Sequence, residues 1–348
     1  MASQLLLTIV FFLVLFSTVS SSVATCESKY EATCHDKKEA LKFKLIAICS
    51  ILIASMIGVC LPIFSRFVPA LKPDRNLFLL VKAFASGVIL ATGYMHVLPD
   101  SFDDLRSECL PENPWHRFPF TTFVAMLAAI FTLMVDSFSI GYFKKKMSNK
   151  ASESENVGGN KANESEEFDI GHGHCGKETL KIIEGQEQLL KYRVVAQVLE
   201  LGIVVHSVVI GLSMGASENP CTIRPLIAAL CFHQLFEGMG LGGCILQAEY
   251  GYKIKGILVF FFSVTTPFGI ALGIGLSNVY SDTSPTSLIV EGILNAVSAG
   301  LLNYMALVEL LASDFMGPKL QQNMKLQICS YIAVLLGAGG MSLMAKWA

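Results

Sequence analysis

Apolar positions in this chain come in long unbroken runs rather than in the alternation of a half-buried strand or the one-faced stripe of a soluble helix. Eight stretches of 17 to 26 residues carry few or no charges: Leu45–Phe64, Ala83–Pro99, Phe118–Tyr142, Val194–Ala216, Pro225–Leu246, Gly256–Ser281, Ser287–Leu311 and Leu326–Ala345. About 20 apolar residues make a helix that crosses a bilayer, so the pattern predicts an all-α integral membrane protein, a bundle of eight transmembrane helices. A further apolar run, Leu5–Val19, is short for a span, lacks a preceding Lys or Arg, and is followed by small residues up to Ala24. It reads as an N-terminal signal peptide over residues 1–24 in preference to a first span.

The organisation that follows is an extracytoplasmic segment 25–44, transmembrane helices one to three within 45–143, a variable loop 144–193, helices four to eight within 194–346, and a tail of residues 347–348. Composition agrees: 53% of residues are hydrophobic and 16% charged, against about 25% charged in a soluble domain. A formal charge of −2 with no basic block excludes nucleic acid as the partner and leaves the lipid bilayer.

Loop charge orients the bundle. Arg66, Lys72 and Arg75, nine basic residues from Lys144 to Arg193, Lys253 and Lys255, and Lys319 and Lys325 follow odd-numbered spans. Only Arg106, Arg117 and Arg224 follow even-numbered ones. The positive-inside rule places the odd loops in the cytoplasm and both mature termini outside, even when the long third loop is set aside. The outer side then holds Cys26, Cys34 and Cys109, and an oxidising compartment permits a Cys26–Cys34 disulfide. Cys49, Cys60, Cys231, Cys244 and Cys329 fall within spans and read as small buried hydrophobes. The third loop is rich in Ser, Glu, Asn, Gly and Lys and reads as largely disordered; its Gly171-His172-Gly173-His174-Cys175-Gly176 run offers soft donors to a metal or is a plain solvated loop.

Candidate chemistry sits inside the spans. In the fifth, His233 and Glu237 are four residues apart and share one helix face. Each is costly alone in lipid, so a partner is expected, either each other or a divalent cation. The fourth span carries His206, with Ser207 beside it, Glu200 and Gln197 two to three turns away, and Gly202, Gly211 and Gly215 to admit a close neighbour. Packed together, the two helices offer a nitrogen and oxygen set that suits zinc and tolerates iron(II), manganese or cobalt. The second span ends His96-Val97-Leu98-Pro99-Asp100, where the proline predicts a broken helix lining a polar path. Glu291, Asn295 and Glu309 in the seventh span, and Pro267 with Gly269, Gly273 and Gly275 in the sixth, fit such a path without defining it.

The stretch from His206 to Gly215, the His233-Gln234-Leu235-Phe236-Glu237-Gly238 run, the His96-to-Asp100 ending and the His-rich third loop together resemble the ZIP family, the zinc- and iron-regulated transporter-like proteins, in its plant branch. The resemblance spans nearly the whole mature chain. It implies uptake of divalent metal toward the cytoplasm, with zinc (or Fe2+, Mn2+ or Cd2+) as transported substrate and no resident cofactor. It also implies a homodimer whose helix groups slide or rock, and a transport site at His96, His206, His233 and Glu237, while the signal peptide fits a plasma-membrane location. Asp100, Ser207, Gln234 and Glu200 are pathway or secondary positions, and His172 and His174 loop ligands. Where some relatives use an amide and acids to hold a second metal, this chain has Ser207, Ile210 and Gln234, which implies one high-affinity ion. Two other classes compete. An intramembrane hydrolase is disfavoured because no His-Glu-x-x-His run is present, and a metal sensor is distinguished by an absence of net metal accumulation.

Overall fold

The computed structural model describes residues 36–64, 75–158, 174–276 and 284–344. The expected signal peptide, Cys26, Cys34, His172 and the C-terminal tail lie outside them. Among the described residues, eight helices are long and apolar enough to cross a membrane: α1 (Lys37–Phe64), α2 (Asn76–Leu105), α3 (Phe120–Tyr142), α4 (Gln188–Ala216), α5 (Pro220–Gln247), α6 (Tyr252–Leu276), α7 (Pro285–Phe315) and α8 (Met324–Met344). They correspond one to one with the eight apolar runs.

Two differences from the sequence reading stand out. The helical backbone of α3 runs on to Gly158, and that of α4 begins at His174. Both flanks of the loop expected to be disordered are therefore helical. Nor is α2 broken at Pro99. It widens into a π-helical turn over Gly93–Val97 and continues through Leu98–Leu105. Proline lacks the N–H its turn would donate, and a wider turn just before it absorbs the mismatch without interrupting the helix. A second π-helical segment, Met305–Ala312, lies in α7.

The helices pack as two groups. α1 lies along α5 and against α6, and α4 lies along α6; α8 lies along α2, α3 along α7, and the end of α2 against α7. Within these pairs the backbones touch. A Cβ on Gly215 of α4 would collide with the Ile270 carbonyl oxygen of α6, and one on Gly337 of α8 with the Phe84 carbonyl oxygen of α2. Glycine permits such approach, which is how helices gain contact where lipid supplies no hydrophobic drive. Lys44 of α1 reinforces the first group by donating to the Gly215 carbonyl at 2.7 Å, capping the end of α4. The second is tied by Lys82 of α2 and Asp314 of α7, 2.9 Å apart.

A seam of α2–α5, α4–α7 and α4–α5 contacts runs through the bundle, the first two joining the groups. Gly202 of α4 faces the side chains of Leu301 and Leu302, and Gly240 of α5 faces those of Ile89 and Ala85. Here the neighbours are side chains rather than backbone.

Candidate metal site

His96, His206 and His233 converge in the middle of the bundle from α2, α4 and α5. They line one cavity with Ile210, Ala229, Leu230 and Met341. The π-helical turn of α2 carries His96, which hydrogen-bonds to the backbone of Met341 in α8. Ring centroids lie 5.3 Å apart for His206 and His233, and 6.1 Å apart for His96 and His233. His233 Nε2 stands 3.0 Å from Glu237 Oε2, but not in hydrogen-bond geometry: both atoms lack a hydrogen-bond partner, as do Glu237 Oε1, both nitrogens of His206 and Nε2 of His96. On its other side His233 Nδ1 meets Thr92 Oγ1 at 3.5 Å. All four side chains are buried, Glu237 completely.

Burying six unpartnered nitrogen and oxygen atoms in one place is costly unless something else satisfies them. The three histidines line the cavity without closing on a point, with Glu237 in contact with His233, and among the described residues no three His, Cys, Asp or Glu side chains are arranged to hold a metal ion.

The secondary positions fall elsewhere. Asp100 lies one turn beyond His96 toward the C-terminal end of α2. There, with Asp104, it interacts electrostatically with Glu291 of α7, and Asn295 donates to Asp104 at 3.4 Å. Gln234 does not line the cavity; its amide donates to Ser55 Oγ of α1 at 3.2 Å. Ser207 is buried with its hydroxyl unpartnered. Glu200 is buried nearer the opposite end of α4, with Oε1 unpartnered. His174 opens the helix leading into α4, and its side chain is not among those described.

Sequence reasoning missed a second polar cluster. Asp136 of α3 interacts electrostatically with Tyr304 and Glu309 of α7, and Glu309 lies 3.5 Å from Lys191 of α4. The signal was available, a carboxylate inside the third apolar run, but nothing adjacent in sequence marked it. At the same end, Arg193 donates to the Ala248 carbonyl at 3.1 Å and Tyr250 donates to the Arg193 carbonyl at 2.9 Å, closing the α5–α6 turn onto α4. Burial pushes the Tyr250 phenol up to about 12, against the opposing pull of Arg193. The opposite end holds Cys109 and Cys221, both disulfide-bonded; Cys221, in the first turn of α5, was not singled out from the sequence.

Buried histidine and carboxylate donors inside a helical membrane bundle are the chemistry a metal-ion carrier requires. Comparison narrows the class to a family. Residues 41–345 match the family described as ZIP Zinc transporter, and the chain belongs to it. It is 61% identical to "Fe(2+) transport protein 1" of Oryza sativa subsp. japonica, over 91% of this chain and 87% of that one. It is 57% identical to "Probable zinc transporter 10" of Arabidopsis thaliana (95% and 93%), and 56% identical to "Fe(2+) transport protein 1" of the same plant (99% of both). The protein is a multi-pass divalent metal transporter, not an enzyme, with the metal as its cargo.

Proposed function

We propose that this transporter carries zinc, with iron(II) as a competing substrate, into the cytoplasm through His96, His206, His233 and Glu237. The observation that carries the reading is the convergence of these four side chains, with six buried and unpartnered donor atoms, in mid-bundle. Imidazole and carboxylate donors suit zinc and accept iron(II). The open arrangement favours exchange: the rings must turn inward to grip an ion, and turning back releases it. The relatives named for zinc and for iron(II) support both cargoes.

The site is built across the seam, His96 from one helix group and His206, His233 and Glu237 from the other. A slide of the groups therefore remakes the site and changes which side it opens to. Asp100, Asp104 and Glu291 stand at the disulfide end, where oxidised Cys109 and Cys221 support an extracytoplasmic face. Glu200, Glu309 and Asp136 lie toward the other end, so carboxylates flank the histidines on both sides. A homodimer is the expectation from the family likeness, and a plasma-membrane location the expectation from the signal peptide read in the sequence.

The test is uptake of radiolabelled zinc by cells expressing the wild type and His206→Ala at matched surface levels, with iron(II), manganese and cadmium as competitors. Saturable uptake lost in the variant is expected. Wild-type rates in His206→Ala would remove the site, and no uptake by surface-expressed wild type would make the chain a sensor.

A further inference from the structure

A histidine binds metal through the ring nitrogen that carries no proton, and which nitrogen that is depends on what the other one meets. The histidines of the cavity differ in this respect. Both nitrogens of His206 lack a partner, whereas His96 and His233 each leave only Nε2 unpartnered. The bond from His96 to the Met341 backbone is therefore made by Nδ1. Met341 lies inside α8, where its N–H is taken up by the helix, so its carbonyl accepts and Nδ1 carries the proton. That leaves the lone pair of His96 on Nε2.

His233 reaches the same tautomer through a side chain. Its Nδ1 stands 3.5 Å from Oγ1 of Thr92, a completely buried residue. The Thr92 hydroxyl has a single proton and donates it to the Val88 carbonyl at 3.0 Å, so toward His233 it presents a lone pair. A proton on Nδ1 is satisfied there, and a lone pair on Nδ1 would not be. The other tautomer has an acceptor of its own, because Glu237 Oε2 lies 3.0 Å from Nε2. A proton on Nε2 would go to that carboxylate and take both groups out of the donor set. Here Nε2 and Oε2 are not aligned for that bond, while Nδ1 has its partner.

We propose that Thr92 is a positioning residue of the transport site: by accepting from His233 Nδ1 it keeps Nε2 free for the metal and Glu237 free of His233. The inference rests on the proposed site, since it concerns how two of its ligands are kept available. Without the hydroxyl, the only acceptor beside the His233 ring is the carboxylate, and bonds to an ionised acceptor are the stronger kind. The proton then moves from Nδ1 to Nε2, and an arriving ion must break the His233–Glu237 bond before it can use either group. Thr92 belongs to α2 and His233 to α5, so this contact crosses the seam as the site itself does.

The test measures zinc affinity of the purified full-length chain by competition with a fluorescent chelator. Thr92→Val keeps the shape and loses the hydroxyl, and it is expected to weaken zinc binding about tenfold, the low end of what loss of an outer partner to a metal-binding histidine costs. Thr92→Ser, which keeps the hydroxyl, is expected to bind as the wild type does. In a His233→Ala background, where zinc retains the other ligands, Thr92→Val is expected to cause no further loss. Wild-type affinity in Thr92→Val would overturn the proposal. So would an equal loss with and without His233, which would make Thr92 a packing residue. Should Thr92→Val not survive purification, Thr92→Ala carries the same comparison. Wild-type zinc affinity in His206→Ala would instead remove the transport site, a result readable separately from the Thr92 arms.

Discussion

The inside of each helix group and the seam between the groups are packed by different rules. Along the long helix pairs of each group glycine lies on backbone, Gly215 and Gly273 between α4 and α6 and Gly87 and Gly337 between α2 and α8, whereas Gly93 and Gly292 at the α2–α7 contact lie on side chains. Across the seam, glycine lies on side chains, Gly240 on Ile89 and Gly202 on Leu301. Backbone contacts admit one register, because the main chain cannot turn out of the way. Side-chain contacts can be exchanged for others as rotamers change. A metal site straddling the second kind of contact can be made and unmade while the first kind holds the groups intact.

The largest effect is expected where a rigid contact is forced apart. Gly215→Val drives two methyl groups into the Ile270 carbonyl and the Gly273 backbone, and a collision that only backbone separation can relieve exceeds the 1–3 kcal/mol of ordinary overpacking. Surface-biotinylated protein is expected to fall several-fold, with zinc uptake falling in proportion. Gly202→Ala places its methyl 3.3 Å from Leu301 Cβ, a side-chain neighbour. It is expected to reach the surface normally while uptake per molecule drops. Equal surface loss in both variants would erase the distinction between group and seam.

A cross-link sharpens the comparison without changing the packing much. A Cβ on Gly240 lies 3.6 Å from that of Ala85, within the Cβ separation of about 3.5–4.5 Å that a disulfide spans. Ala85→Cys with Gly240→Cys, oxidised in the membrane, is expected to stop zinc uptake, and a reductant to restore it. Gly240→Cys alone serves as the control for the native disulfides at Cys109 and Cys221. Uptake that continues through a fully formed cross-link would show that transport does not need α2 and α5 to move past each other.

What the sequence made legible follows the same division. The eight spans could be read because lipid demands continuous apolar length, a property visible residue by residue. His206, His233 and Glu237 stood out because ionisable groups are rare in such runs and the last two repeat at one turn. Asp136 gains meaning from Tyr304 and Glu309, more than 160 residues away in sequence. The π-helical turn holding His96 reflects how Pro99 is absorbed, and composition gives no preference between a wide turn and a break.

The smallest effect concerns the contact that holds Gln234 away from the cavity. Ser55 Oγ donates to the Ile51 carbonyl at 2.8 Å and accepts from the Gln234 amide at 3.2 Å, joining α1 to α5 inside one group. Side-chain hydrogen bonds between membrane helices average about 0.6 kcal/mol, because the separated helices find other partners. Ser55→Ala is expected to lower the thermal unfolding midpoint of the purified protein by no more than a few degrees, and Ser55→Ala with Gln234→Leu by less than the two single losses combined. Strictly additive losses would mean that the Ser55–Gln234 hydrogen bond adds nothing to the joining of α1 and α5, leaving that contact to the close approach of Gly58 to the Leu235 backbone.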